Sequence, residues 1–169
     1  MFNRLDSTGD GCLTREDYVK GATRVAEYLG LNEKESHRIL HQFLYLWGLH
    51  IDNDADDQAA KVTEKEFMQN WTSVINESSF RQDLYPRSIS ADFRAMDING
   101  DGFISKEEHA AFYYGIQIPI EDSMKLFGVL DSDKDGFISI DEYARGYLEF
   151  MLTEDPGNRF NDFFGPLVE

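Results

Sequence analysis

Apolar residues recur at helical spacing along most of the chain, and the intervals between these stretches are short and acidic. From Arg15 the positions Tyr18, Ala22, Val25, Ala26 and Leu29 fall on one face of a helix that Gly30 ends. Asn32 with Glu35 caps the next helix, whose apolar face carries Ile39, Phe43, Leu46 and Trp47. A third stripe, Phe67, Trp71 and Val74, predicts a helix from Glu64 to Ile75, and residues 76–88, with Ser78-Ser79 and Pro86, read as a linker. Ala110 to Tyr114 is helical up to Gly115, Pro119 stands near a new helix start, and Tyr143, Tyr147, Leu148 and Met151 form the last stripe. Asp155-Pro156-Gly157 breaks the chain, and the tail beyond it carries Phe160, Phe163, Phe164, Leu167 and Val168, which predicts that it folds back onto an apolar surface.

The acidic intervals carry the chemistry. Asp97-Ile-Asn99-Gly-Asp101-Gly102-Phe103-Ile-Ser105-Lys-Glu-Glu108 and Asp131-Ser-Asp133-Lys-Asp135-Gly136-Phe137-Ile-Ser139-Ile-Asp-Glu142 both fit the calcium-loop pattern D-x-[DN]-x-[DN]-G-x5-E. Ca²⁺ takes about 6–8 oxygen ligands. Asp97, Asn99 and Asp101, and likewise Asp131, Asp133 and Asp135, supply side-chain oxygens from positions 1, 3 and 5. Glycine at position 6 permits the sharp turn. Phe103 and Phe137 need to give only a backbone carbonyl, Ser105 and Ser139 reach the ion directly or through water, and Glu108 and Glu142 close the shell with two oxygens each. The two copies are in register, so they form an internal repeat.

A third loop opens the chain: Asp6, Thr8, Asp10, Cys12 (through its carbonyl) and Asp17 fill the ligand positions. Thr8 replaces a carboxylate, and Asp17 is one methylene shorter than Glu. The shorter arm chelates less readily, and this site is expected to have more Mg²⁺ character than the other two. Phe2 and Leu5, Phe93 and Met96, and Phe127 and Leu130 stand at equivalent places before the three loops. Each loop also runs into a helix cap: Thr14 with Asp17, Ser105 with Glu108, Ser139 with Glu142. A degenerate loop precedes Phe67. Counted back from Glu66 it has Ala55, Asp57 and Ala59 at positions 1, 3 and 5 and Ala60 in the glycine position; counted forward from Asp52, through Asp54 and Asp56, it is three residues too long. It is expected to buttress the first loop, Val62 pairing with Leu13 as Ile104 pairs with Ile138, rather than to bind an ion.

Charge narrows the partners. Thirty-two acidic against 16 basic residues give a net charge of −16, which argues against nucleic acid and anionic membrane and for cations. The chain has 1 cysteine, so no internal disulfide forms and a reducing, cytoplasmic location is expected. No apolar run reaches membrane-spanning length, and the sequons at Asn70 and Asn76 read as accidental. His37 and His41, four apart on one helix, could chelate a transition metal, but with no third ligand apparent they read as surface histidines. No nucleophile–base pair, phosphate loop or zinc pattern supports catalysis, so no enzyme is expected. With 13 Phe, 8 Tyr and 2 Trp against 5 Met, the interior is rigid rather than the repackable Met-rich kind of a sensor groove.

Four hands with a degenerate second, Asp17 closing loop one, the stretches Phe2–Asp6 and Thr14–Asp17, and the ending Phe163-Phe164-Gly165-Pro166-Leu167-Val168 together resemble the sarcoplasmic calcium-binding proteins. The resemblance implies an all-α fold of four EF-hands in two paired lobes packed compactly, with short β ladders between paired loops. Its units would be a pair in residues 1–78 with only the first hand functional, a pair in 79–152 with both functional, and the tail 153–169. It implies a monomeric cytosolic Ca²⁺/Mg²⁺ buffer with three Ca²⁺ sites and no indicated target protein. The alternatives are a calexcitin-like sensor and a luciferin-type small-ligand carrier. Photoproteins use His, Trp and Tyr groups around the luciferin, including a C-terminal pair. Here no His follows His109 and no Trp follows Trp71, which weighs against light emission.

Overall fold

A computed structural model describes residues 1–50, 59–76 and 85–166. Among these residues eight helices and four short strands follow in order. They are α1 (Phe2–Leu5), β1 (Cys12–Thr14), α2 (Arg15–Leu29), α3 (Glu33–His50), β2 (Lys61–Thr63), α4 (Glu64–Asn76), α5 (Tyr85–Met96), β3 (Ile104–Ser105), α6 (Lys106–Gly115), α7 (Ile120–Leu130), β4 (Phe137–Ile138) and α8 (Ile140–Leu152). The entering helix of the first loop is a single turn. The strands pair antiparallel in two ladders, with Leu13 opposite Val62 and Ile104 opposite Ile138, the register expected from position 8 of each loop. Among the described residues no helix is long and apolar enough to cross a membrane.

Local chemistry sets the helix ends. Gly30 stops α2 in the left-handed conformation, with φ of 62°, its amide donating to the carbonyls of Ala26 and Glu27. Ser105 and Ser139 each accept from the amide of the glutamate three residues on, and that glutamate accepts from the serine amide in return. One boundary differs from expectation. Helix α4 continues through Asn76 and α5 already begins at Tyr85, so Pro86 lies in its first turn rather than in a linker. A proline there gives up an amide hydrogen that the first turn does not use. The expected division at 78/79 lies outside the described residues, as do the acidic residues 52–57 of the second loop and Leu167 and Val168 of the tail.

The core is aromatic and continuous across the two ladders. Leu13, Val25, Trp47, Ala95, Met96, Ile104, Ile138, Tyr143 and Phe163 lose all their accessible surface. Helix α2 packs on α3 and on α6, and α3 packs on α5, so the two hand pairs share this core. Phe163 sits against Tyr143, Tyr147 and Phe150, and its carbonyl accepts from the Tyr113 hydroxyl at 2.7 Å, which ties the tail to α6. The α2–α6 crossing is close because both helices carry glycine at the contact. A Cβ on Gly115 would stand 2.6 Å from Val25 Cγ2 and 3.0 Å from the Gly21 carbonyl oxygen. A backbone atom cannot step aside as a side-chain end can. Gly115→Ala is therefore expected to force the helices apart and cost about 1–3 kcal/mol, read as a lowered thermal midpoint in the calcium-loaded protein; an unchanged midpoint would show the crossing to be loose.

Candidate metal centres

Each loop is built around its first carboxylate. Asp6 accepts from the amides of Gly9 at 2.7 Å and Gly11 at 2.9 Å; Asp97 from Gly100, Asp101 and Gly102; Asp131 from Gly136 at 3.2 Å. Burial pushes the Asp6 carboxyl up, but the Gly11 and Gly9 amides and the Thr8 hydroxyl outweigh it, and the pKa falls below the ordinary value. Position 5 holds the amide of position 7: Asp10 accepts from Cys12, Asp101 from Phe103, Asp135 from Phe137. Asn99 contributes its amide oxygen to the Asp101 amide at 2.7 Å, and the Thr8 hydroxyl donates to Asp6. The Phe103 and Phe137 side chains lie outside, edge to face at 6.2 Å, consistent with a position that needs only a carbonyl.

The closing carboxylate is bonded at both ends of its loop. One oxygen of Asp17 accepts from the amides of Ser7 and Thr8, the other from the Thr14 amide and hydroxyl. Glu108 repeats this with Ile98 and Asn99 on one side and Ser105 on the other, and Glu142 with Ser132 and Ser139. Burial alone would raise the Glu142 pKa; the amides and hydroxyls of Ser139 and Ser132 overcome it and hold the carboxyl at about 2. All three closing residues are buried, whereas Glu66 of the second hand is exposed and accepts from the Thr63 amide and hydroxyl of its own cap.

In loop four the acidic oxygens converge. Ligand atoms of Asp131, Asp133 and Glu142 lie within 4.8 Å of one another, the one such acidic group among the described residues. Asp131 Oδ1 is buried with no hydrogen-bond partner among the described residues. An unpaired buried carboxylate oxygen is costly unless a cation faces it, so the donor set fits a hard, oxygen-seeking ion. The loops also share a feature that pattern matching missed. Position 4 is left-handed in all three: Gly9 (φ 69°), Gly100 (φ 78°) and Lys134 (φ 62°). Glycine in two of the three copies was the available signal.

Two arginines from the N-terminal hands brace these loops across long sequence separations. Arg24 Nη1 donates to Ser7 Oγ at 3.0 Å and to the Gly115 carbonyl at 2.9 Å. Arg38 Nη2 donates to the Asp97 carbonyl at 3.1 Å and lies 3.1 Å from where a Cβ on Gly100 would stand. No local pattern marks either residue.

A second constellation, also unmarked in the sequence, sits in the core. The Asp92 charge acts on Tyr18, Tyr113, Tyr143 and Tyr147, all of whose hydroxyls are driven well above their ordinary range, first by burial. His109 stacks on Tyr113 at 4.2 Å and contacts Ser123 Oγ through Nδ1 at 2.7 Å; burial lowers its pKa to about 3, so the ring is neutral. Three polar atoms here are buried without a partner among the described residues: Trp47 Nε1, His109 Nε2 and the Tyr143 hydroxyl.

Residues 88–148 match the EF-hand domain pair family. That stretch, which holds loops three and four with their flanking helices, belongs to the family. The chain is 24% identical over 112 residues to a sarcoplasmic calcium-binding protein of Perinereis vancaurica tetradentata, a match covering 66% of this chain and 63% of that one. It is 26% identical over 170 residues to the luciferin-binding protein of Renilla reniformis, covering 99% and 90%. Its fold superposes on the calcium-loaded apo form of the coelenterazine-binding protein of Renilla muelleri with a TM-score of 0.85 at 24% identity, covering 98% and 91%.

Burial lifts the Asp92 carboxyl to about 7. A carboxyl whose folded pKa lies above its unfolded value stabilises the fold fully below the unfolded value, and that contribution is lost as pH rises through the folded one. Calcium-saturated protein is therefore expected to lose stability between pH 5.5 and 8.5, and Asp92→Asn to remove most of that loss. Thermal melts at the two pH values check it; identical slopes for both proteins would count against the assignment.

Proposed function

We propose that this EF-hand protein holds Ca²⁺ at three loops, with Mg²⁺ competing most strongly at the first, and acts as a Ca²⁺/Mg²⁺ buffer. The ligands would be Asp6, Thr8, Asp10, Asp17 and the Cys12 carbonyl; Asp97, Asn99, Asp101, Glu108 and the Phe103 carbonyl; and Asp131, Asp133, Asp135, Glu142 and the Phe137 carbonyl. The observation that carries this reading is the closing carboxylate: Asp17, Glu108 and Glu142 are each already bonded to both ends of their own loop. A loop tied in this way needs little rearrangement to receive an ion, which suits a buffer rather than a sensor that must open. The aromatic core supports the same reading, since Met96 is the one methionine among the buried hydrophobic residues described. Calorimetric titration should give three Ca²⁺ per chain, with millimolar Mg²⁺ weakening the first site most. Glu142→Gln should remove one site or weaken it at least tenfold; an unaltered isotherm would remove loop four from the account.

A second reading, a carrier of a small aromatic ligand, is favoured by three buried polar atoms without a partner among the described residues, Trp47 Nε1, His109 Nε2 and the Tyr143 hydroxyl. A buried polar group left unpaired costs about 1–3 kcal/mol, and a heteroaromatic guest could supply the partners. The full-length similarity to the Renilla luciferin-binding protein points the same way. Coelenterazine is the probe. On this reading it binds with saturation, quenches tryptophan fluorescence and loses affinity in Tyr143→Phe and His109→Phe. Absence of saturable binding leaves the buffer alone.

A further inference from the structure

Helix α3 carries His37 and His41 on an exposed face, apart from the calcium loops. Their Nε2 atoms lie 3.0 Å apart, and the rings meet near edge to face, with centroids 4.6 Å apart and an interplanar angle of 77°. Two nitrogens bound to one metal at about 2.0–2.1 Å stand about 2.9 Å apart when cis at a right angle, and about 3.4 Å apart at a tetrahedral angle. The observed separation matches the right-angled bite. Square-planar or tetragonal nitrogen coordination belongs to Cu²⁺ and Ni²⁺, and Cu²⁺ stands at the top of the divalent affinity order.

We propose that His37 and His41 form a two-nitrogen chelate for a borderline transition-metal ion, Cu²⁺ before Ni²⁺, separate from the hard-cation loops. The helix supplies the spacing: residues four apart stack on one face one turn apart. The two Nε2 atoms stand at hydrogen-bond distance, with donor and acceptor set by the tautomers. In the chelate each neutral ring carries its hydrogen on Nδ1 and turns its Nε2 lone pair to the ion. Water completes the coordination. Access is open, because His37 borders the groove between α2 and α3 lined by Val19, Thr23, Glu27, Glu33 and Leu40. The net charge of −16 raises the local concentration of any cation. Segregation follows from chemistry: imidazole suits copper and nickel, whereas the carboxylate, amide and carbonyl oxygens of the loops suit Ca²⁺ and Mg²⁺.

The test is a Cu²⁺ titration of the calcium-saturated full chain, followed by electron paramagnetic resonance and calorimetry. One Cu²⁺ is expected to bind with a two-nitrogen hyperfine signature, to resist added Ca²⁺, and to raise the thermal midpoint by cross-linking a helical turn. His37→Ala and His41→Ala should each weaken binding at least tenfold, since a chelate fails when either arm is lost. The double variant should keep its Ca²⁺ stoichiometry, so failure here is distinguishable from failure of the calcium loops. Equal Cu²⁺ affinity and spectrum in the double variant, or no saturable Cu²⁺ binding in the parent chain, would overturn the proposal. Both positions are exposed, so substitution leaves the core intact.

Discussion

The structure depends on one recurring interaction, the carboxylate that closes each loop and begins each exiting helix. Asp17, Glu108 and Glu142 each accept from the amide at the helix cap with one oxygen and from an amide near the start of the loop with the other. The same group thus caps a helix, shapes a turn and offers its oxygens to a cation. Loop binding and helix position are coupled through a single side chain, and an ion drawn to that carboxylate pulls on the backbone of both. Glu66 shows what is left when the loop around such a residue degenerates. It keeps the cap but stands exposed, and its hand contributes the strand that pairs with the first loop.

The degenerate hand is still structurally required. A lone three-residue strand has no partner for its amides, and a buried unpaired amide is expensive. Val62 opposite Leu13 supplies that partner, both side chains are buried, and the ladder joins the first loop to α4. Further bracing comes from Arg24 and Arg38, which carry donors from the N-terminal hands to Gly115 and Asp97 of the C-terminal ones. Geometry suits the residue: the planar guanidinium has several donors and can bond a carbonyl while lying close to a glycine, as Arg38 does at Gly100.

Between the loops lies an interior that is aromatic but not apolar throughout. Asp92, His109 and four tyrosines occupy ground where aliphatic side chains would cost nothing in desolvation. Their pKa values are displaced in the direction burial dictates, the carboxyl and phenols upward and the imidazole downward, so every member is neutral in mildly acidic solution.

Much of this was legible in the chain. The loop pattern is local: oxygen donors at fixed offsets, a glycine at the turn and a cap residue all act within twelve positions, so spacing alone predicted loops one, three and four, the caps at Thr14, Ser105 and Ser139, and the Leu13–Val62 and Ile104–Ile138 registers. Helix ends were legible to within a few residues, failing at Tyr85 because a proline in a first turn looks like a linker. What the sequence could not reveal are contacts made between distant segments. The Arg24 and Arg38 braces, the glycine crossing of α2 and α6 and the coupling of Asp92 to four tyrosines arise only when helices distant in sequence meet. Local geometry arranged the oxygens of the loops; long-range packing decided which charges are buried, how they are neutralised, and how the two hand pairs are held together.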